Sequence, residues 1–245
     1  MLLPPQSVSF DELSVAVPDF IRYPTIRKLA ERVQHETLNA VTSPAMYNAG
    51  GTSRRTRILD SLYQTPIANA SVLVAITHER HPKLLLTRRA AHMNSHAGEV
   101  SCAGGKHEAG DGNNVVTALR EACEETALPP NKVQLLGQLP IQTSKSGMSV
   151  RPIVALIAPD LVLVPELGEI SRIFWADFET LLTQPTVEYA IEYAMQDQMA
   201  TILTPSWQVD GETVWGLTGR VIASLLETGF DRQLEWYYRI QDTRN

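Results

Sequence analysis

Apolar positions divide this chain into strands and helices before any chemistry is considered. Ala70–Thr77, ASVLVAIT, is apolar almost throughout, the pattern of a strand covered on both faces. Lys83–Thr87, KLLLT, is the next strand, and the His78–Pro82 turn between them predicts a hairpin. Val133–Leu139, Val150–Ile157 and Ser171–Asp177 read as further strands, Pro152 suggesting an edge or a strand start. Helical spacing appears in Pro24–Leu38, where Ile26, Leu29, Val33 and Leu38 share one side. It appears again in Val115–Thr126, where Val115, Leu119, Ala122 and Cys123 form an apolar stripe. Asn113 or Asn114 is placed to cap that helix, and Pro129 and Pro130 to stop it.

The remainder is less regular. Phe10–Ala16 is a short apolar stretch, and Thr42–Thr52 is rich in Ser, Pro, Asn and Gly and reads as a loop. Phe178–Thr183 predicts a short helix and Val214–Leu226 a final one. Gln184–Ser206, rich in Tyr and Met, reads as an insertion with some helix, and Asp231–Asn245 as a polar terminal helix. This order of elements suits an α/β class: an α/β/α sandwich around a mixed sheet over residues 67–245, preceded by a partly helical extension, 1–66. The extension is open to two roles, a cap over the active site or a dimerisation element.

Composition narrows the function. The chain has 245 residues, 44% of them hydrophobic and 20% charged, enough for a full core. A net charge of −6 argues against a nonspecific nucleic-acid binder. Two cysteines, Cys102 and Cys123, make no disulfide framework and fit a reducing compartment. The N-terminus lacks a basic segment followed by an apolar run, and no apolar stretch reaches the roughly 18 residues of a membrane span. The expectation is a cytoplasmic protein acting on a small molecule, with no nucleic-acid or membrane partner and a homodimer left open.

The chemistry concentrates at Ala103–Leu128. Gly104 and Gly105 allow close backbone approach to a ligand. Glu121, Glu124 and Glu125 follow at i, i+3 and i+4 of the central helix. Three such carboxylates repel one another unless a cation intervenes, and oxygen donors suit Mg²⁺ or Mn²⁺; a solvated acidic face is the alternative. Arg120 reaches Glu124 one turn on. Arg88, Arg89 and His96, between the second strand and the glycines, are candidate donors to phosphate oxygens. Arg54, Arg55 and Arg57 read as a solvated basic cluster or as a phosphate clamp.

These residues resemble the signature of Nudix hydrolases: a glycine, five residues, an acid, a spacer, then Arg-Glu-x-x-Glu-Glu-x-Gly. Gly105, Asp111, Arg120, Glu121, Glu124 and Glu125 match. Ala127 stands where the signature has glycine, and the spacer is one residue longer than the general pattern. That longer spacer is typical of the coenzyme A pyrophosphatases. The preceding LLLTRRAAHMNSHAGEVSCAGGK resembles the segment those enzymes carry, matching at Leu86, Thr87, Arg89, His96, Gly98, Val100, Gly104 and Gly105. Cys102 and Ala103 replace its Phe-Pro pair. Glu169 matches an acid of a later family loop, and Trp215 and Leu217 fall in the stretch opening the final family helix, where packing roles are expected.

The resemblance implies a Nudix-type sandwich and a Mg²⁺- or Mn²⁺-dependent hydrolase that cleaves the diphosphate of coenzyme A. It implies metal ligation by Glu121, Glu124, Glu125 and a carbonyl near Gly105, and substrate binding by Arg88, Arg89, His96 and Arg120. The catalytic acids are Glu121 and Glu124 with the loop acid Glu169; the base is Glu121 or Glu169. Other nucleoside-diphosphate-linked substrates, such as ADP-ribose or a dinucleotide, and a non-catalytic ligand sensor are the alternatives.

Overall fold

The computed structural model describes residues 13–40, 53–93, 95–195 and 198–241. The expected loop over Thr42–Thr52, the start of the Phe10–Ala16 stretch and residues 242–245 lie outside them. In chain order the elements are β1 (Ser14–Val15), α1 (Pro24–Asn39), α2 (Arg54–Gln64), β2 (Ala70–Thr77), β3 (Lys83–Arg89), β4 (Val100–Ser101) and β5 (Gly104–Lys106). Then come α3 (Asn114–Thr126), β6 (Gln134–Gln138), β7 (Gln142–Thr143), β8 (Ser149–Ile157), β9 (Ile170–Asp177) and α4 (Phe178–Thr183). The chain continues through β10 (Val187–Met195), β11 (Gln198–Val209), β12 (Glu212–Val214), α5 (Gly216–Phe230) and β13 (Arg239–Ile240).

The main sheet runs β1–β6–β8–β2–β3–β4, with β5 on β2, β7 on β8 and β9 on β3. Strands β2 and β8 are parallel, as are β1 and β6, and the other pairs are antiparallel, so the sheet is mixed. Strand β2 forks: Ile76 pairs with Leu84 of β3, while residues 70–72 pair with β5. The fork lays the glycine pair alongside the sheet.

Period-two alternation sends successive side chains to opposite faces. Val74, Ile76, Leu84, Leu86, Val154, Leu156 and Phe174 pack with Ile26, Leu29 and Val33 of α1 and Val221, Ile222, Leu225 and Leu226 of α5. Leu73, Ala75, Leu85, Ile153, Ala155 and Ile157 pack on the other face, with Ile58 and Leu62 of α2 and Val115, Ala118, Leu119 and Ala122 of α3. The result is the three-layer α/β/α sandwich expected. Helices α1 and α2 of the N-terminal segment each fill one layer, and Arg54 and Arg55 tie α2 to Gln34 of α1 and to the Leu13 carbonyl.

Three readings need correction. Pro152 lies in the interior strand β8, not at an edge. It falls between the stretch paired with β6, which ends at Ile153, and the stretch paired with β7, which begins at Val150, so on that side no ladder needs its missing N–H. Gln184–Ser206 is no helical insertion: β10 and β11 form a long antiparallel hairpin, driven by alternating Val, Ile and Tyr, and β12 and β13 also pair with β11. Residues 231–238 form no helix and only Arg239–Ile240 is strand, with Trp236 stacked on Trp207 at 5.4 Å between ring centroids. Packing of that aromatic on the α5 layer outweighs the polar composition around it.

Candidate active site

Helix α3 is built as the sequence suggests. The Asn113 side chain accepts from the Val115 and Val116 amides at 3.0 Å, closing the N-terminus. Asn114, buried, accepts from the Ala68 amide at 2.8 Å and donates to the Pro66 carbonyl at 3.0 Å, which fixes the helix start to the strand entering the sheet. At the other end Ala127 takes a left-handed conformation, φ 56°. A signature glycine would adopt that conformation without strain; alanine does so at a cost.

With its apolar stripe on the sheet, α3 turns Glu121 and Glu125 toward β5. Glu125 is 4% exposed and accepts from the Gly104 amide at 3.2 Å. Arg89 lies 3.6 Å away from its other oxygen, and the Arg89 Nε is buried with no hydrogen-bond partner among the described residues. Glu121 packs on bare glycine: a Cβ on Gly105 would sit 2.5 Å from both its carboxylate oxygens. A Cβ on Gly104 would lie 2.6 Å from Val72 Cα, so only glycine lets β5 lie this close to β2.

Arg120 is the hub of the cluster. Its Nε and Nη2 donate to Asp111 at 2.8 and 3.1 Å, Nη2 also to Glu121 at 3.0 Å and to the Lys106 carbonyl at 2.9 Å, and Nη1 to Glu124 at 2.9 Å. Asp111 is buried and also accepts from the Thr117 hydroxyl and the Glu108 amide. Burial alone would raise the Asp111 pKa, but the Arg120 hydrogen bond, the Glu108 amide and Thr117 together hold the carboxyl below its ordinary range. The reach of Asp111, nine residues ahead of Arg120, was hidden in the sequence because the loop before α3 folds back on the helix.

Glu124 diverges from its neighbours. It is 44% exposed and engaged with Arg120, which also binds Glu121. The loop acid comes the other way. The Val164 and Glu166 amides donate to the Thr126 and Glu125 carbonyls at 3.0 and 2.9 Å, and the Ala90 amide to the Glu169 carbonyl at 2.7 Å. These bonds hold residue 169 between the end of α3 and the end of β3, near enough that its charge acts on half-buried Glu121 and buried Glu125. Burial, with the charges of Glu121 and Glu169, pushes the Glu125 carboxyl up to about 8 against the pull of the Gly104 amide and Arg89. Burial, with the charges of Glu124 and Glu169, likewise raises Glu121, although Arg120 opposes it.

The two candidate strand arginines part company. Arg89 faces α3, whereas Arg88 faces the α5 side, 3.5 Å from Glu212, which also binds Arg172 at 3.2 Å. His96 is exposed and pairs with Glu99 at 2.9 Å, apart from the acids. Cys102, in place of an aromatic, is 3% exposed, and burial with the Glu125 charge pushes its thiol up to about 12.

The donors fit a hard divalent cation in kind: carboxylates and backbone carbonyls, with no sulfur or imidazole among them. Among the described residues no three acidic, His or Cys side chains converge tightly enough to be a ready-made metal centre. The chain's own cations partner these acids: Arg120 bonds Glu121 and Glu124, and Arg89 lies beside Glu125. The Ala103 carbonyl is already bonded to the Leu73 amide at 2.8 Å, and the register against β2 commits Gly105 to Ser71, which leaves Gly104 as the freer carbonyl of that loop. Among the described residues no helix is long and apolar enough to cross a membrane.

A sequence model of the NUDIX domain matches residues 68–196. An uncharacterized Nudix hydrolase NudL of Pectobacterium atrosepticum is 39% identical over 156 residues, which cover 64% of this chain and 80% of the relative. The protein of the same description from Escherichia coli strain K12 is 36% identical over 156 residues, again 64% of this chain and 80% of the relative. Among solved structures, a Nudix hydrolase from M. smegmatis, RenU, is similar at a TM-score of 0.39 and 18% identity, covering 46% of this chain and 72% of that one; so distant a likeness says nothing of the chemistry.

Proposed function

The chain belongs to the Nudix family and is a Nudix hydrolase, and from that premise we propose that it cleaves the diphosphate bond of coenzyme A or its acyl derivatives. The products are 3′,5′-ADP and 4′-phosphopantetheine or its acyl form. The observation that carries this reading is Arg89. It belongs to the Leu-Thr-x-Arg stretch, and β3 delivers it beside Glu125 with a buried, unpartnered Nε. A guanidinium donor so placed is suited to a diphosphate oxygen.

Glu121 and Glu125, with a carbonyl of Gly104 or Gly105, hold Mg²⁺ or Mn²⁺ in this proposal, and Glu169 approaches from the loop. The cation, when bound, polarises a phosphoryl oxygen and acidifies a water. Arg89 orients the diphosphate, and Arg120 keeps Glu121 in place through its shared hydrogen bonds. A carboxylate oxygen of Glu121 or Glu169 accepts the proton of the attacking water as a phosphorus–oxygen bond forms and the bond to the leaving phosphate breaks. Glu124, exposed and bound to Arg120, lies at the rim and is not placed to be the base. The domain spans residues 67–245 with 1–66 as an extension in this reading, and the protein works in the cytoplasm.

A second reading, another nucleoside-diphosphate-linked substrate such as ADP-ribose, draws on Cys102 and Ala103, small buried residues where the subfamily has Phe-Pro. The test is Mg²⁺-dependent product release, read by mass spectrometry, from coenzyme A, acetyl coenzyme A, ADP-ribose and a diadenosine compound. Cleavage of coenzyme A to the two named products supports the proposal. Release from ADP-ribose alone supports the second reading, and release from none identifies a ligand sensor.

A further inference from the structure

Strand β10 pairs with β11 along its whole length, Val187 with Ser206 through Met195 with Gln198. Strands β12 and β13 also pair with β11, and among the described residues no strand pairs with the outer edge of β10. An edge of this length presents a row of unpaired backbone N–H and C=O groups, a template for another strand. Short strands, bulges or lysines normally blunt such an edge. Strand β10 is nine residues long, VEYAIEYAM, with no lysine, no proline and a regular register against β11.

We propose that this edge pairs antiparallel with the same edge of a second copy, about a dyad through Ile191. Two observations select the second copy and the register. The first is charge. The sequence repeats VEYA then IEYA, so pairing residues 187–195 with 195–187 of the second copy sets Glu192 opposite Ala190 and Glu188 opposite Ala194. No acid meets an acid, and on the other face Ile191 meets Ile191 of the second copy, apolar to apolar. A dyad at Ala190 would instead oppose Glu188 and Glu192, a destabilising like-charge pair. Within one copy the Glu188 charge is answered by Arg239 at 2.6 Å and the Tyr237 hydroxyl at 2.7 Å.

The second observation is an apolar row that stops at the dyad. Ile191 is opposite Ile202, and Ile202 is opposite Ile240, so three isoleucines cross β10, β11 and β13 in line. Ile240 is 58% exposed and the neighbouring Tyr238 51% exposed. A dyad at Ile191 continues the row into the second copy and joins both ribbons into one sheet. The contact uses the same patch on both copies, so it closes as a dimer and leaves no further β10 edge for growth.

The test is the mass of the full chain by light scattering and sedimentation across the micromolar range, where a dimer has about twice the 27.1 kDa of one chain. I191K sets two like charges face to face at the dyad and is expected to give a monomer with an unchanged circular dichroism spectrum. An independent arm uses cysteine pairs. Residues at the dyad stand about 4.5–5.5 Å apart between Cα atoms, within disulfide reach. I191C is therefore expected to form an intermolecular disulfide under mild oxidation. V187C is not, because the two copies of that position would be offset by eight residues, about 27 Å; the unsubstituted chain is the control. A monomeric full chain, a dimer that survives I191K, or V187C crosslinking as readily as I191C would each overturn the proposal.

Discussion

Replacing Arg120 with alanine tests how the acidic cluster is held together. Its two arms differ sharply in burial. Toward Asp111, 3% exposed at the side chain, it makes two charge-assisted bonds; toward Glu124, 44% exposed, it makes one. An exposed i,i+4 pair is worth about 0.3–0.5 kcal/mol, whereas stranding a buried charge costs about 3–5 kcal/mol. We therefore predict that R120A and D111A each lose about 3–5 kcal/mol, and E124A no more than about 0.5 kcal/mol. At about 2–4 °C per kcal/mol for a chain of this size, the first two variants melt roughly 6–20 °C lower. Urea unfolding followed by tryptophan fluorescence gives the free energies. The double variant D111A/R120A should be no less stable than the worse single, because the second removal strands nothing further.

Acid titration supplies the sign. The folded pKa of Asp111 is lowered, so its contribution is present above the unfolded value near 3.8 and is lost as pH falls through the folded value. The gap between the parent and D111N should therefore close only on strong acidification. An R120A variant within about 1 kcal/mol of the parent, or E124A as damaging as D111A, would refute this account of the cluster.

Three further outcomes are expected. A127G should stabilise the protein by about 0.5–1 kcal/mol in a urea titration, since glycine relieves the φ of 56° that ends α3. E125Q should fold normally by circular dichroism and yet lose about a hundredfold or more in turnover at saturating Mg²⁺; near-normal turnover would remove Glu125 from the site. Of the two thiols, half-buried Cys123 should be alkylated by iodoacetamide in the folded protein well before Cys102, which is buried and raised to about 12. Peptide mass spectrometry before and after denaturation checks this.

Much of the scaffold was legible in the sequence because single elements carry their own signals. Strand β2 runs over the predicted Ala70–Thr77, α4 over the predicted Phe178–Thr183, and Asn113 caps α3 as its side chain and position suggest. Partners across the fold were less legible. Helical spacing puts Glu121, Glu124 and Glu125 within one broad sector, but adjacent residues differ by about 100°, so Glu124 and Glu125 cannot both face β5. Adjacent Arg88 and Arg89 looked like one basic feature, although strand alternation commits them to opposite faces. Composition alone does not announce the β10–β11 hairpin; its tyrosines and methionines signal strand only through their period of two. The non-helical course of residues 231–241 depends on where Trp236 docks, which no local pattern announces.

The placement of α1, α2 and α5 makes the folded unit larger than the stretch the family model matches. The recognisable family segment spans residues 68–196, yet Ile26, Leu29, Ile58, Leu62, Ile222 and Leu226, which fill both layers against the sheet, lie outside it. A fragment trimmed to residues 68–196 would keep α3 on one face of the sheet but lose α1 and α5 from the other, baring that face to water.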